Sequence, residues 1–153
     1  MQKITIRDIQ KFKDQEIPFA SVTAYDYVSA RIADAVEIPL LLVGDSAAMV
    51  VYGMDTTIPI TMEELIFLVR GVRRGSNNAL VVADMPFMSY QASIEDAVRN
   101  AGRFIKEGGA EAVKLEGGTV CTAQIKAIID AGIPVMGHVG LLPQSYPLSS
   151  GYR

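Results

Sequence analysis

At 153 residues, half of them hydrophobic and a fifth charged, the chain has the make-up of a soluble globular domain with room for one sizeable core. A net charge of −3 without a basic cluster argues against nucleic acid as a partner, and a single cysteine, Cys121, excludes an intrachain disulfide. The longest apolar run, Ile38 to Val43, contains Pro39 and is far too short to cross a bilayer; with no apolar signal core in MQKITIRDIQ and one lone thiol, the expected location is cytoplasmic.

The pattern along the chain alternates between strand and helix signals. Thr5, with Asp8 three residues on, reads as the cap of a short helix to about Gln15. PFASVTA (18–24) reads as a buried strand, and Asp26 as the cap of a helix to about Val36. PLLLV (39–43) is a second strand ending at Gly44, followed by a loop from Asp45 to Pro59 with no clear period. Thr61 and Glu64 form a capping box for a helix to Arg74, and ALVVA (79–83) is a third strand closed by Pro86. Ser93 and Asp96 open a helix that stops near Gly108-Gly109. Ala112 to Leu115 is a fourth strand, Thr119 to Ala131 a helix, and Ile133 to Met136 a fifth strand.

Apolar strands between amphipathic helices predict a parallel sheet covered by helices. A (β/α)₈ barrel fits better than a doubly wound sheet, because no Gly-rich dinucleotide turn follows the first strand. Polar residues also cluster at the carboxyl ends of successive strands, where barrel enzymes place their sites. Five strands are too few to close such a barrel, so residues 1–153 are expected to be the amino-terminal portion of a single barrel domain.

Four strand ends carry the candidate chemistry. Asp45 and Ser46 follow the second strand in VGDSAA, where a helix cap is the plainer role. Asp84 ends the third strand in VVADMP, and could simply cap the turn before Pro86. Lys114 and Glu116 in VKLEGG are two apart on a strand and share a face, with Val113 and Leu115 on the other. Apolar residues suit the helix side, which places the charged pair inside the barrel, either as a structural ion pair or as part of a site. His138, the sole histidine, ends the fifth strand in VMGHVG. Leu41, Val82, Val113 and Val135 are expected to face the helices. Three carboxylates at neighbouring strand ends form an oxygen-only ligand set of the kind Mg²⁺ prefers. A 2-oxo acid could chelate such an ion, which would stabilise an enolate as a Lewis acid, with Lys114 facing the developing oxyanion.

The blocks VTAYDY (22–27), VGDSAAMVVYG (43–53), TTIPITMEE (56–64), VVADMPFMSY (81–90), VKLEGG (113–118) and IPVMGHVGLLPQ (133–144) resemble ketopantoate hydroxymethyltransferase, in order and over nearly the whole chain. The resemblance implies a (β/α)₈ barrel of the phosphoenolpyruvate/pyruvate type in a large homo-oligomer, commonly a decamer. It implies transfer of a hydroxymethyl unit from 5,10-methylenetetrahydrofolate, as co-substrate, to C3 of 3-methyl-2-oxobutanoate in pantothenate biosynthesis. By the same resemblance the Mg²⁺ ligands fall on Asp45, Asp84 and Glu116, substrate contacts on Asp45, Ser46, Asp84 and Lys114, and catalytic roles on Lys114 and His138. The family's general base lies beyond Arg153, so these residues alone are expected to lack turnover. Two rivals are an isocitrate-lyase-like enzyme, which needs a cysteine in a mobile loop where Cys121 opens a helix, and a non-catalytic half-barrel.

Overall fold

Five short strands, each preceded by a stretch of helix, pair in parallel in strict chain order in the computed structural model, which describes residues 2–145. Residues 146–153 of the Pro-, Ser- and Gly-rich final loop lie outside the described residues. The elements are α1 (Ile6–Asp14), β1 (Ser21–Thr23), α2 (Tyr27–Ala35), β2 (Leu40–Val43), α3 (Ala47–Val50), α4 (Met62–Gly75), β3 (Leu80–Asp84), α5 (Ile94–Arg103), β4 (Ala112–Glu116), α6 (Thr122–Asp130) and β5 (Val135–His138). This is a five-stranded portion of a (β/α) barrel: neighbours in sequence are neighbours in space, and every crossover is helical.

The helices start where their caps predict. Thr5 and Asp8, and Thr61 and Glu64, form reciprocal capping boxes on α1 and α4. Asp26 takes the Val28 and Ser29 amides of α2, and Ser93 takes the Asp96 amide of α5. Each such cap satisfies donors that a helix cannot satisfy itself and contributes about 1 kcal/mol. At the far end of α4, Gly75 lets α2 come close: a Cβ there would strike the Tyr27 carbonyl and sit 2.9 Å from the Ala30 methyl. A second anchor holds the same corner. Asp34, near the end of α2, accepts from Ser76 Oγ (3.0 Å), Asn77 N (3.2 Å), Asn78 N (2.9 Å), Asn78 Nδ2 (3.1 Å) and Ala79 N (3.1 Å), fastening α2 to the entry of β3.

Strand register sorts the side chains onto two faces. Leu41 lies beside Val81, Ala83 beside Val113, and Val113 beside Val135; these pack with Leu65, Val69, Val72 and Phe104 in the core beneath the helices. On the other face Leu42 lies beside Val82, Val82 beside Ala112 and Lys114 beside Met136. Val82 is therefore fully buried but belongs to the barrel interior rather than the helix side, since it is two residues from Asp84 and shares its face. Ile4 and Ile9 of the α1 region cover this interior face, where a cavity of about 640 Å³ is lined by Ile9, Phe19, Leu80, Val82 and Met136 among others.

Other elements depart from their sequence pattern. β1 spans three residues, all exposed, instead of a buried run from Pro18 to Ala24, because among the described residues it is an edge strand with a single neighbour. The region from Asp45 to Pro59 contains the one-turn α3. The helix expected to run from Ser93 to Gly108 changes to π-type hydrogen bonding over Phe104–Gly108 and stops at Gly109, whose φ of 78° a side chain would resist. The helix expected from Thr119 begins as a 3₁₀ turn over Gly118–Cys121. No helix among the described residues is long and apolar enough to cross a membrane.

Candidate active site

The carboxyl ends of β2 to β5 bring the polar residues together at one end of the sheet. Asp84, the last residue of β3, lies beside Lys114 of β4, and Glu116, the last residue of β4, lies beside His138 of β5. Alternation then points Asp84, Lys114, Glu116 and His138 to the interior face, above Val82, Ala112 and Met136. Asp45 and Ser46 stand just past β2, and the Asp45 amide donates to Asp84 Oδ2 at 3.2 Å. Ser46 shares a 2.8 Å hydrogen bond with the Tyr25 hydroxyl from the end of β1. Gly44 keeps the space between these groups: a Cβ there would be 2.8 Å from Ser46 Oγ and 3.7 Å from Asp84 Oδ2.

Lys114 Nζ grips both oxygens of Asp84, at 2.8 and 2.7 Å, deep in the fold. An ammonium has three donors, so one remains to face a ligand. Burial pushes the Asp84 carboxyl up to about 7, with Lys114 pulling down and Asp45 pushing up. Burial likewise raises Glu116, against the pull of the Gln144 amide and of Lys114. Glu116 Oε1 accepts from Gln144 N at 2.7 Å, whereas Glu116 Oε2 and His138 Nδ1 are both buried and make no hydrogen bond. They lie 3.4 Å apart without hydrogen-bond alignment, and attract one another only when His138 is protonated.

Three buried carboxylates thus stand beside a single lysine, which is paired with Asp84, and the Glu116 Oε2 oxygen is orphaned. Such a shortage of positive charge in a dry site is costly unless a cation is supplied or a carboxyl holds its proton, as the raised values of Asp84 and Glu116 reflect. By charge and by ligand element the site fits a hard divalent ion. Among the described residues, no three His, Cys, Asp or Glu side chains are grouped as a ready-made metal shell. Protein partners hold two of the carboxylates: Lys114 grips Asp84, and Gln144 Nε2 donates to Asp45 Oδ2 at 3.0 Å.

Sequence reasoning missed three residues here. Tyr25 and Tyr90 gave no signal beyond an aromatic next to a strand end, and Gln144 lies in an irregular loop after β5 without periodicity. Tyr90 is fully buried, and its hydroxyl lies 2.9 Å from the Glu116 carbonyl and 2.8 Å from Gln144 Oε1. Cys121 is buried with its thiol on the Glu116 carbonyl at 3.3 Å, and burial raises its pKa, which makes it a poor nucleophile or acid.

Comparison with known proteins adds an independent line. The family model described as ketopantoate hydroxymethyltransferase matches residues 3–153. The 3-methyl-2-oxobutanoate hydroxymethyltransferase of Frankia alni is 55% identical over 151 residues, 99% of this chain and 50% of that protein. The enzyme of the same name from Carboxydothermus hydrogenoformans is 53% identical over 153 residues, 100% of this chain and 55% of that protein. The chain therefore spans about half the length of the curated relatives it matches. Among solved structures, a phosphoenolpyruvate phosphomutase from Streptomyces platensis superposes with a TM-score of 0.67 at 16% identity, over 84% of this chain and 51% of that one. A 2,3-dimethylmalate lyase, a PEP mutase/isocitrate lyase superfamily member, gives 0.65 at 18% identity over 86% of this chain and 51% of that one. At those identities the likeness extends to the fold alone.

Proposed function

The chain belongs to the ketopantoate hydroxymethyltransferase family, and from that premise we propose that it carries the metal- and oxo-acid-binding part of a 3-methyl-2-oxobutanoate hydroxymethyltransferase. The reaction proposed joins 3-methyl-2-oxobutanoate, the methylene carbon of 5,10-methylenetetrahydrofolate and water. Its products are 2-dehydropantoate, a precursor of pantothenate, and tetrahydrofolate. The observation that carries the reading is the charge shortage at the strand ends: Asp45, Asp84 and Glu116 are all buried, and the one lysine among them, Lys114, is paired with Asp84.

Asp45, Asp84 and Glu116 would hold Mg²⁺, which supplies Lewis-acid stabilisation of negative charge on the keto oxygen of the substrate. The chain's own residues do the rest. Ser46, held by Tyr25, offers a hydroxyl at the mouth of β2 for the substrate carboxylate. Lys114 favours the ionised form of Asp84 against the effect of burial and would direct its remaining N–H toward the oxygen that becomes negative as C3 loses its proton. That contact strengthens as charge develops, so it lowers the barrier rather than merely tightening binding. Carbon–carbon bond formation then takes place at C3, with the electron pair left by the departing proton. His138, beside Glu116, would move a proton at the edge of the site.

Calorimetric titration of the chain with 3-methyl-2-oxobutanoate, with and without Mg²⁺, tests the reading. Binding should require Mg²⁺ and should be lost in Asp84→Asn. Binding of equal strength in EDTA would refute it.

A further inference from the structure

Gln144 stands in the loop after β5, far from Asp45 in sequence, yet its buried side chain and its backbone amide together meet groups from three strand ends. Nε2 donates to Asp45 Oδ2 (3.0 Å) and to the Met85 carbonyl (2.9 Å). Oε1 accepts from the Tyr90 hydroxyl (2.8 Å) and from Gln91 Nε2 (3.2 Å). Its backbone amide donates to Glu116 Oε1 (2.7 Å). A primary amide has two donors and two acceptor positions, and all four are used. Turning the amide over would set its oxygen against the Asp45 carboxylate and the Met85 carbonyl, and its NH₂ against Gln91, so the network dictates one orientation.

Among the described residues, the bond from Gln144 is the one hydrogen bond recorded for the Asp45 side chain, whereas Asp84 has Lys114 and Glu116 has the Gln144 amide. Asp45, just past β2, and Glu116, on β4, are separated by β3, and no strand pairing ties one to the other. Residue 144 does so, touching one carboxylate through its side chain and the other through its main chain. Tyr90, whose hydroxyl also lies against the Glu116 carbonyl, braces the far side of the amide.

We propose that Gln144 is a positioning residue that fixes the relative orientation of the Asp45 and Glu116 carboxylates, with Tyr90 as its brace. The proposal rests on the functional reading above only for the ion those carboxylates hold; the orientation itself is a property of this chain. A group that orients metal ligands from behind typically governs affinity by about 10–100-fold when removed.

The test uses the 153-residue chain with Gln144→Met, which keeps length and shape but has no side-chain donors, and Tyr90→Phe, which removes the brace together with the hydroxyl's contacts to the Glu116 backbone. In metal-free crystals of Gln144→Met the Asp45 carboxylate should leave the orientation it has in the parent. Calorimetry should then show Mg²⁺ affinity lowered about 10–100-fold in Gln144→Met. The loss should be smaller in Tyr90→Phe and no larger in the double variant than in Gln144→Met, at melting temperatures that do not account for the loss. An Asp45 side chain that stays in place, or affinity within twofold of the parent, overturns the proposal. If Gln144→Met does not fold, Tyr90→Phe decides by the same two measurements. If the parent itself binds no Mg²⁺, the metal reading fails, and the Asp45 orientation in the metal-free variant crystals decides the positioning role alone.

Discussion

Replacing Asp34 by asparagine changes one oxygen of the carboxylate that staples α2 to the entry of β3. The amide oxygen can take the place of Oδ1 and keep Ser76 Oγ, Asn78 N and Ala79 N. The NH₂ must then face Asn77 N and Asn78 Nδ2, two donors with nothing to accept them. Hydrogen bonds to a charged group contribute about 1.5–3 kcal/mol each, and the three that survive lose their charge assistance, so the cost is about 3–5 kcal/mol. That is a large share of the roughly 5–15 kcal/mol of a whole domain. The effect has a pH signature. Burial works to raise the Asp34 pKa, but the amides of Asn78, Ala79 and Asn77 and the Ser76 hydroxyl outweigh it, leaving the carboxyl below its ordinary value. A depressed carboxylate stabilises the fold above its unfolded pKa of about 3.9, and this contribution disappears as pH falls through the lower folded value. Urea denaturation followed by circular dichroism should show the full gap between parent and Asp34→Asn at pH 7, and a smaller one at pH 3. A gap below about 1 kcal/mol at pH 7, or one that does not change with pH, would refute the staple argument.

Lys114→Met should leave Asp84 buried without its partner, a loss of roughly 3–5 kcal/mol while the carboxylate stays charged. Because Asp84 is already pushed up to about 7, its proton binds more tightly to the folded state, and the variant's melting temperature should fall more steeply than the parent's as pH rises from 6 to 8; parallel curves would contradict this. Glu116→Gln keeps an acceptor for the Gln144 amide but removes a charge that burial disfavours, so it should melt no lower than the parent and lose Mg²⁺ affinity, by about tenfold or more, in calorimetry. Gly75→Ala should destabilise by about 1–3 kcal/mol in denaturant titration despite the better helix propensity of alanine, since its methyl drives α2 away from α4; a stabilised variant would show that the helices can separate freely.

Much of this was legible wherever a local rule acts alone. Thr5 with Asp8 and Thr61 with Glu64 cap their helices by contacts three residues apart, and Lys114 and Glu116 share a face because strand alternation is a local property. What escaped depends on the third dimension. Val82 was assigned to the helix face as an apolar residue, yet the interior face is also apolar below its polar rim, so residue type could not distinguish the two while counting back from Asp84 would have. The exposure of β1 follows from its place at the sheet edge, which a run such as SVT does not announce. Asp34 and Gln144 take their partners from residues 42 or more positions away in one case and up to 99 in the other, and no spacing rule spans such distances.

The polar ladder at the strand ends also constrains how the sheet can assemble. Asp84 meets Lys114, and Glu116 meets His138, only in the observed pairing of β3, β4 and β5. Sliding β4 by one residue would swing Lys114 and Glu116 in among Leu41, Val81 and Val69, where no counter-charge waits, and would expose Val113 and Leu115 to the interior in their place. For a parallel sheet of short, repetitive Val, Leu and Ala strands, whose apolar contacts would tolerate several alignments, the charged residues act as an index mark. A deletion of one residue within β4 should accordingly be far more damaging than a deletion in the loop of 51–59. It inverts two faces at once, whereas the loop only shortens a tether.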